Sequence, residues 1–373
     1  MINFDNAATT GKKPETVINA VNNALRRFSA NPGRGGHKLS SDAAAAVYKA
    51  REKIAGFFGA SGADRVIFTA NYTSAINYVI KGFLNENDHV IISDLEHNAV
   101  VRPLKKTGVD FSVAAVDFSN DDNTVKNFNE LINDRTKLIF CTAASNVFGR
   151  ALPIERIGKL CKERKISFGV DAAQMAGVMP INMKKAGIDF LCIAPHKGLY
   201  APMGLGILIA EKDIGETLIE GGTGTNSISP YQPDDLPERY ESGTINLPAV
   251  MGASAGVDFA TGIMKSAYKK ETDMLEKLYN ALNRMPGAVL YTPGFEKQLY
   301  VPVLSFNIIG KPSEQTAGYL NSKGVAVRAG LHCAPFAHKK TNTLDTGAVR
   351  VAPSYFNTSG EMGYLIGILK SYK

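Results

Sequence analysis

The chain has 373 residues, 45% of them hydrophobic and 21% charged, a balance that points to a soluble globular protein with room for one large domain and a smaller one. Lys and Arg outnumber Asp and Glu by 42 to 35, a net charge of +7. The basic residues are dispersed, with no basic block interleaved with aromatics, which argues against a nucleic-acid partner and fits a cleft that attracts anions.

Pro14–Ser29 reads as a helix, with Val17, Val21, Ala24, Leu25 and Phe28 at helical spacing. A glycine-rich loop follows, Asn31–His37 (NPGRGGH), and then a helix over Ser41–Phe58 capped by Ser41 or Asp42. From there strands and helices alternate. VIFT (Val66–Thr69) leads to a helix over Thr73–Leu84, and VIIS (Val90–Ser93) leads to EHNAVVRPLKK. Phe111–Val116 is a strand and Val125–Ile132 a short helix. LIFCT (Leu138–Thr142) precedes a helix from Pro153, and ISFGVD (Ile166–Asp171) precedes AAQMAG. FLCIA, then His196 and Lys197, then a Gly/Pro turn, then LGILIA close the series. This alternation predicts an α/β fold with a mostly parallel sheet and helices on both faces. Residues 212–246 look irregular. A long helix runs from Pro248 to Asn283, broken near Gly262. Shorter strands (Val303–Ile308, Val325–Arg328, Ala348–Val351) then alternate with helices (Ser313–Lys323, Ser359–Lys370) as a second, smaller α/β domain.

The opening MINFDNAATT lacks the charged and apolar regions of a signal peptide, and no apolar run approaches a membrane span, so the expectation is a cytoplasmic protein with no membrane role. The four cysteines, Cys141, Cys161, Cys192 and Cys333, form no CxxC pair. That gives no support to a zinc or thioredoxin motif, and cysteines this sparse suit a reducing compartment.

In an open parallel sheet, ligands bind at the carboxyl ends of the strands. Five apolar strands here end in polar groups: Asn71, Thr73 and Ser74; Glu96 and His97; Ser145 and Asn146; Asp171 with Gln174; His196 and Lys197. Five together argue for one polar site. Thr73 and Ser74 stand at a helix N-terminus, which favours a phosphate, although a plain N-cap explains them alone. Lys197, desolvated in a turn, suits imine formation. Asp171 can hold a pyridine nitrogen protonated, or simply pair with Lys197. His97 can stack on a ring and exchange protons. Asn146 and Gln174 can bond a phenolic oxygen, or make local turn bonds. Together these groups suit pyridoxal 5'-phosphate. GxGxxG and GxxxxGK[ST] are both absent.

The chain resembles the class V aminotransferase family, and within it the cysteine desulfurases and selenocysteine lyases. The likeness runs from end to end: NFDNAATT (Asn3–Thr10), EHNA, SNVFG, VDAAQ, HKGLYAPMG (His196–Gly204), RYESGTIN (Arg239–Asn246) and VRAGLHCA (Val327–Ala334). The resemblance implies a fold-type I homodimer with its site at the subunit interface. It implies an arm over residues 1–13, a large cofactor-binding domain over 14–247, and a linking helix with a small domain over 248–373. Lys197 would be the Schiff-base lysine, Asp171 the partner of the pyridine nitrogen and His97 the residue stacked on the ring. Gln174 and Asn146 would contact the phenolic side, and Thr73, Ser74 and His196 the phosphate. Thr244 would reach the phosphate of the neighbouring subunit. Arg350 would clamp the substrate carboxylate, Asn31 and Arg328 would line the substrate side, and Cys333 would take the sulfur as a persulfide.

The expected reaction is L-cysteine to L-alanine, with the sulfur passed from Cys333 to an acceptor, which can be a protein. L-selenocysteine would fit the same frame. Arg328, His332 and Arg350 are candidate cationic neighbours that favour the Cys333 thiolate. Cys141 and Cys192 on strands and Cys161 on a helix read as core residues. The loop holding Cys333 is short, which implies an enclosed thiol. Three departures bear on the site: Ala194 where relatives often have Ser, the altered loop NPGRGGH, and the variant RVAPSYFNT around Arg350. An aminotransferase or lyase that leaves Cys333 unused, and a scaffold on a degenerate fold of this type, are the competing readings.

Overall fold

VIFT, FLCI and SFGVD are buried along their whole length, as is the strand containing VIIS. Runs of that kind belong in a sheet covered on both faces. The computed structural model describes residues 1–373 except Ser29, Arg34 and Lys373. The expected helix end at Ser29 and one position of the Asn31–His37 loop lie outside the described residues.

In chain order the elements are β1 (Ile2–Asn3), α1 (Glu15–Arg27), α2 (Lys38–Phe58), β2 (Val66–Thr69), α3 (Tyr72–Phe83), β3 (His89–Ser93), α4 (Asn98–Thr107), β4 (Asp110–Ala114), α5 (Asp121–Glu130) and β5 (Thr136–Thr142). Then come α6 (Ile154–Arg164), β6 (Ser167–Asp171), α7 (Met183–Ala186), β7 (Phe190–Ile193), β8 (Gly206–Ala210) and α8 (Leu247–Asn283). The remainder is β9 (Ala288–Leu290), β10 (Leu304–Ile308), α9 (Ser313–Ser322), β11 (Val325–Ala326), α10 (Pro335–Lys340), β12 (Val349–Val351) and α11 (Ser359–Ser371).

Seven strands form the main sheet in the order β2-β8-β7-β6-β5-β3-β4. It is parallel from β7 to β4, and β8 runs antiparallel to both β7 and β2. Strand residues alternate between two apolar layers. Ile91, Ile139, Cys141 and Leu191 pack with Val47 of α2, Ile157 of α6 and Ala253 of α8. Ile92, Phe140, Cys192 and Leu208 pack with Ile76 of α3 and Val100 of α4. A third core joins Phe4, Met274, Leu278, Phe306, Val349 and Leu365 around the antiparallel sheet β12-β10-β9. β1 pairs in parallel with β11, so the N-terminus is tied to the C-terminal third.

Several expectations are corrected. α2 starts at Lys38, and its cap is His37, whose Nδ1 accepts the Ser40 amide, rather than Ser41 or Asp42. α8 is one unbroken helix of 37 residues that runs through Gly262. Its most apolar window, of mean hydropathy 1.3, is long enough to cross a membrane, contrary to the expectation that no run approaches a span. It is nevertheless a packing helix here, laid against α1 and α2. β11 stops at Ala326, short of Arg328, which instead forms an isolated bridge with Arg350.

Candidate active site

The polar strand ends converge as the parallel sheet requires. A cavity of about 320 Å³ lies there, lined by Thr73, His97, Asn146, Asp171, Gln174, His196, Lys197, Arg328 and Arg350 among others. Asn71 caps α3: its Oδ1 accepts the Ser74 amide at 3.0 Å and the Ser74 hydroxyl at 3.2 Å. Ser74 therefore spends its hydroxyl on the cap and does not line the cavity, whereas Thr73 does. His97 caps α4 by accepting the Ala99 amide on Nδ1 at 3.0 Å, which orients the ring and leaves Nε2 for other partners.

The lysine turn is held by the N-terminal arm. The His196 carbonyl accepts from the Thr10 amide at 3.2 Å and from Thr9 Oγ1, Thr10 Oγ1 and Lys13 Nζ, each at 3.1 Å. Glycines let the chain pack this tightly: a Cβ on Gly198 would lie 2.2 Å from the Ala176 carbonyl oxygen. Burial lowers Lys197 to about 8; Arg350 and Arg328 add to the effect, and Asp171 opposes it. Asp171 is 3% exposed and its Oδ1 accepts the Ala173 amide at 2.8 Å. Burial raises its pKa, against the pull of Lys197. Burial lowers His97 to about 4, with Lys197 and the surrounding arginines acting in the same direction. His97 is thus a neutral ring, suited to stacking rather than to storing a proton.

On the opposite wall Arg350 is almost fully buried. Its Nη1 donates to the Asn146 carbonyl at 2.9 Å and its Nη2 to Asp5 at 2.8 Å, while Nε has no partner among the described residues. Asn146 donates to the His332 carbonyl at 2.8 Å and Gln174 to the Ala7 carbonyl at 3.1 Å. Each amide therefore keeps one N–H for a ligand.

Cys333 is exposed, which corrects the expectation of an enclosed thiol. It lies in a neighbouring groove with Arg102, Lys81 and Lys106, and Thr73 and His97 line both spaces. The other three cysteines are buried. His332 is not a cationic neighbour as expected. Burial, then Arg350, push it down to about 2, so it is neutral at any working pH. Asn31 and Thr244 lie apart from the cavity and bond to each other, Asn31 Nδ2 donating to Thr244 Oγ1 at 3.1 Å.

Two groups carry more than their sequence position suggests. Glu96 is fully buried, and its Oε1 accepts the Ser93 hydroxyl, the Ser93 amide at 3.3 Å and the Thr142 amide at 2.9 Å. It thereby ties β3 to β5 beneath the cavity. Tyr72, buried beside Asp171, has its phenol pushed well above the usual range by burial and then by that carboxylate. Glu96 already stands among the polar strand ends, whereas Tyr72 opens α3 with nothing in its local pattern to mark it.

The donor set can be tested against pyridoxal phosphate. An amine of lowered pKa faces the cavity together with a buried carboxyl. The N-terminus of α3 supplies free amides for an anion. The buried Nδ1 of His196 has no hydrogen-bond partner among the described residues, as expected of a donor set for a ligand. The residues present fit the group, even with Ala194 in place of a hydroxyl.

Over residues 2–365 the chain matches the family described as aminotransferase class-V, and it belongs to that family. Within it, a probable cysteine desulfurase of Methanothermobacter thermautotrophicus is 32% identical over 373 residues, covering 96% of this chain and 92% of the relative. A probable cysteine desulfurase of Borreliella burgdorferi is 29% identical over 392 residues, covering 100% of this chain and 92% of the relative. The apo structure of a cysteine desulfurase from Thermococcus onnurineus NA1 matches at a TM-score of 0.91 and 28% identity, covering 99% of this chain and 94% of that one. The fold is that of the fold-type I pyridoxal-phosphate enzymes.

Proposed function

We propose that this chain is a pyridoxal-phosphate-dependent cysteine desulfurase, converting L-cysteine to L-alanine and holding the sulfur as a persulfide on Cys333 for an acceptor. One observation carries the reading: Lys197, Asp171 and two arginines meet in a single cavity, and a solvent-accessible cysteine lies in the groove that adjoins it across Thr73 and His97. The cofactor, when bound, supplies an electron sink that weakens bonds at the substrate carbons.

The chain's own residues do the rest. Lys197 would hold the cofactor through its amine and would be the base for the substrate's α-proton; burial lowers its pKa to about 8, so a larger share of the amine is unprotonated near neutral pH than for an exposed lysine. Asp171 would pair with the ring nitrogen and His97 would cover the ring face. Gln174 and Asn146 offer their remaining N–H groups to the phenolic oxygen. Thr73, His196 and the amides at the start of α3 take the phosphate. Ser74 contributes its backbone position more than its hydroxyl. Arg350 and Arg328 bind the substrate carboxylate, with the free Nε edge of Arg350 the available donor. Thr244 and Asn31 serve the site of a partner subunit in a homodimer. Cys333 attacks the substrate sulfur, and its exposure suits hand-over to an acceptor protein. Residues 14–247 would form the cofactor-binding unit, 248–373 the linking helix and smaller unit, and 1–13 an arm that locks the lysine turn.

The test is to measure alanine and sulfide from L-cysteine, with a thiol reductant, for the wild type, Cys333→Ala and Lys197→Ala. Equal amounts of both products from the wild type and neither from the variants is the expected result. A yellow protein that makes neither product would keep the cofactor and overturn the substrate. Cysteine turnover that survives Cys333→Ala would overturn the persulfide step.

A further inference from the structure

The geometry points to a proton relay that runs from the cavity to the surface through His332, His338, Thr343 and Thr341, with His332 as its inner end. It rests on the desulfurase reading above. His332 lines the cavity, and its Nε2 has no hydrogen-bond partner among the described residues. Its Nδ1 lies 3.4 Å from Nε2 of His338. Nδ1 of His338 lies 2.7 Å from Thr343 Oγ1, and that hydroxyl lies 2.9 Å from Thr341 Oγ1. His332, His338 and Thr343 are buried and Thr341 is half-buried, so the chain of bonds starts at the site and ends near solvent. The three links between the four side chains are all made, and the one buried group left open is His332 Nε2 at the inner end.

The turn that aims this line is itself strained. His332 and Cys333 both have left-handed backbones, at φ +50° and +56°, a cost that persists only where surroundings enforce it. Asn146 Nδ2 donates to the His332 carbonyl at 2.8 Å, and the Asn98 amide donates to the Cys333 carbonyl at 2.7 Å. The result places the imidazole on the cavity and the thiol in the adjoining groove.

Neither ring can store a proton. Burial holds both neutral, helped at His332 by Arg350 and His338, and it outweighs the opposing pull of backbone bonds at Arg328 for His332 and at Thr343 for His338. A neutral imidazole can still accept at one nitrogen while it releases from the other. The reaction moves protons that such a carrier can exchange with the surface. The Cys333 thiol loses its proton, and Sγ forms a bond to the substrate sulfur as the carbon–sulfur bond breaks. The electron pair of that bond stays on the carbon side, and the carbon takes up one proton to become the methyl of alanine. One proton leaves and one returns, so the relay carries a proton without net consumption and without burying a cation. Of the four, His332 is the group that lines the cavity; His338, Thr343 and Thr341 pass the proton on without touching it.

The experiment uses the full chain loaded with cofactor and labelled with ¹⁵N at its histidines, in wild type, Thr343→Val and Thr343→Ser. Both rings should stay neutral from about pH 5 to 9, each in one tautomer, and Thr343→Val should change the tautomers of both His338 and His332. With L-cysteine, Thr343→Val should slow persulfide formation by about tenfold or more at little changed KM, and Thr343→Ser should restore it. A His332 that protonates at its ordinary value, tautomers indifferent to Thr343, or a Thr343→Val variant as fast as wild type would overturn the relay. If the wild type forms no persulfide, the desulfurase reading falls separately, and the tautomer coupling still decides whether the relay exists.

Discussion

Glu96 shows how one residue beneath the site trades stability for order. Its carboxyl is fully buried, and burial raises it to about 8. Unfolded, the same group ionises above about pH 4.5; folded, it keeps its proton to about pH 8. Between those values the folded chain binds the extra proton, so wild-type stability falls as pH rises through the window. Glu96→Gln keeps an acceptor for the Ser93 and Thr142 donors and has no proton to lose. The variant should match the wild type near pH 4.5 and exceed it progressively towards pH 8, by on the order of 4 kcal/mol at most. Urea unfolding of both proteins across that range checks this, and parallel pH profiles would refute it. Cys333 offers a simpler contrast. It is the one exposed cysteine of four, and burial pushes the Cys141 and Cys192 thiols well up. A disulfide reagent should label one thiol quickly in the native protein and none quickly in Cys333→Ala.

At the scale of elements, two of the three glycines in α8 have opposite roles. A Cβ on Gly256 would lie 1.9 Å from the Leu199 carbonyl oxygen, two residues beyond Lys197. The helix can press on the lysine turn only because that side chain is absent. Gly256→Ala should destabilise the protein by about 2 kcal/mol or more and weaken cofactor binding, as the turn is pushed aside. Gly262 has nothing within 4 Å of the same position and is exposed. Gly262→Ala should stabilise by about 0.5–1 kcal/mol with cofactor affinity unchanged. Urea melts and cofactor titrations of the two variants separate these outcomes. The same helix shows where sequence reading stops. The glycine at 262 reads as a break by propensity, yet packing along α1 and α2 carries the helix through it, a tertiary gain that no local window contains. The parallel strands were legible because burial on both faces makes them continuous apolar runs, and the site was legible because those runs end in polar residues. β1, only two residues long, was not, since its existence depends on β11 more than three hundred residues away. The His332–His338 line was equally hidden, because a left-handed turn at 332–333 sets its direction. The exposure of Cys333 was misread from loop length, when the orientation of that turn decides it.

At the scale of the whole molecule, the proposed homodimer has its most direct test in the irregular stretch between β8 and α8. Ile228 is fully exposed and Tyr231 and Ile219 largely so, more apolar surface than a short polar loop needs. Thr244 and Asn31, bonded to each other, lie off this chain's own cavity. If they serve the partner's site, two defective chains should repair each other. Lys197→Ala removes the amine from its own cavity, and Thr244→Asp sets a negative charge against the phosphate of the other. In a mixed dimer one cavity has both defects and the other has neither. Random pairing of equal amounts should therefore recover about a quarter of the wild-type sites, read as cofactor absorbance and alanine formation. If Thr244 served its own chain, every cavity in the mixture would carry a defect, and mixing would recover nothing above the two parent proteins. The experiment thus separates a shared site from a dimer whose two sites work alone, which the size of the particle in solution does not.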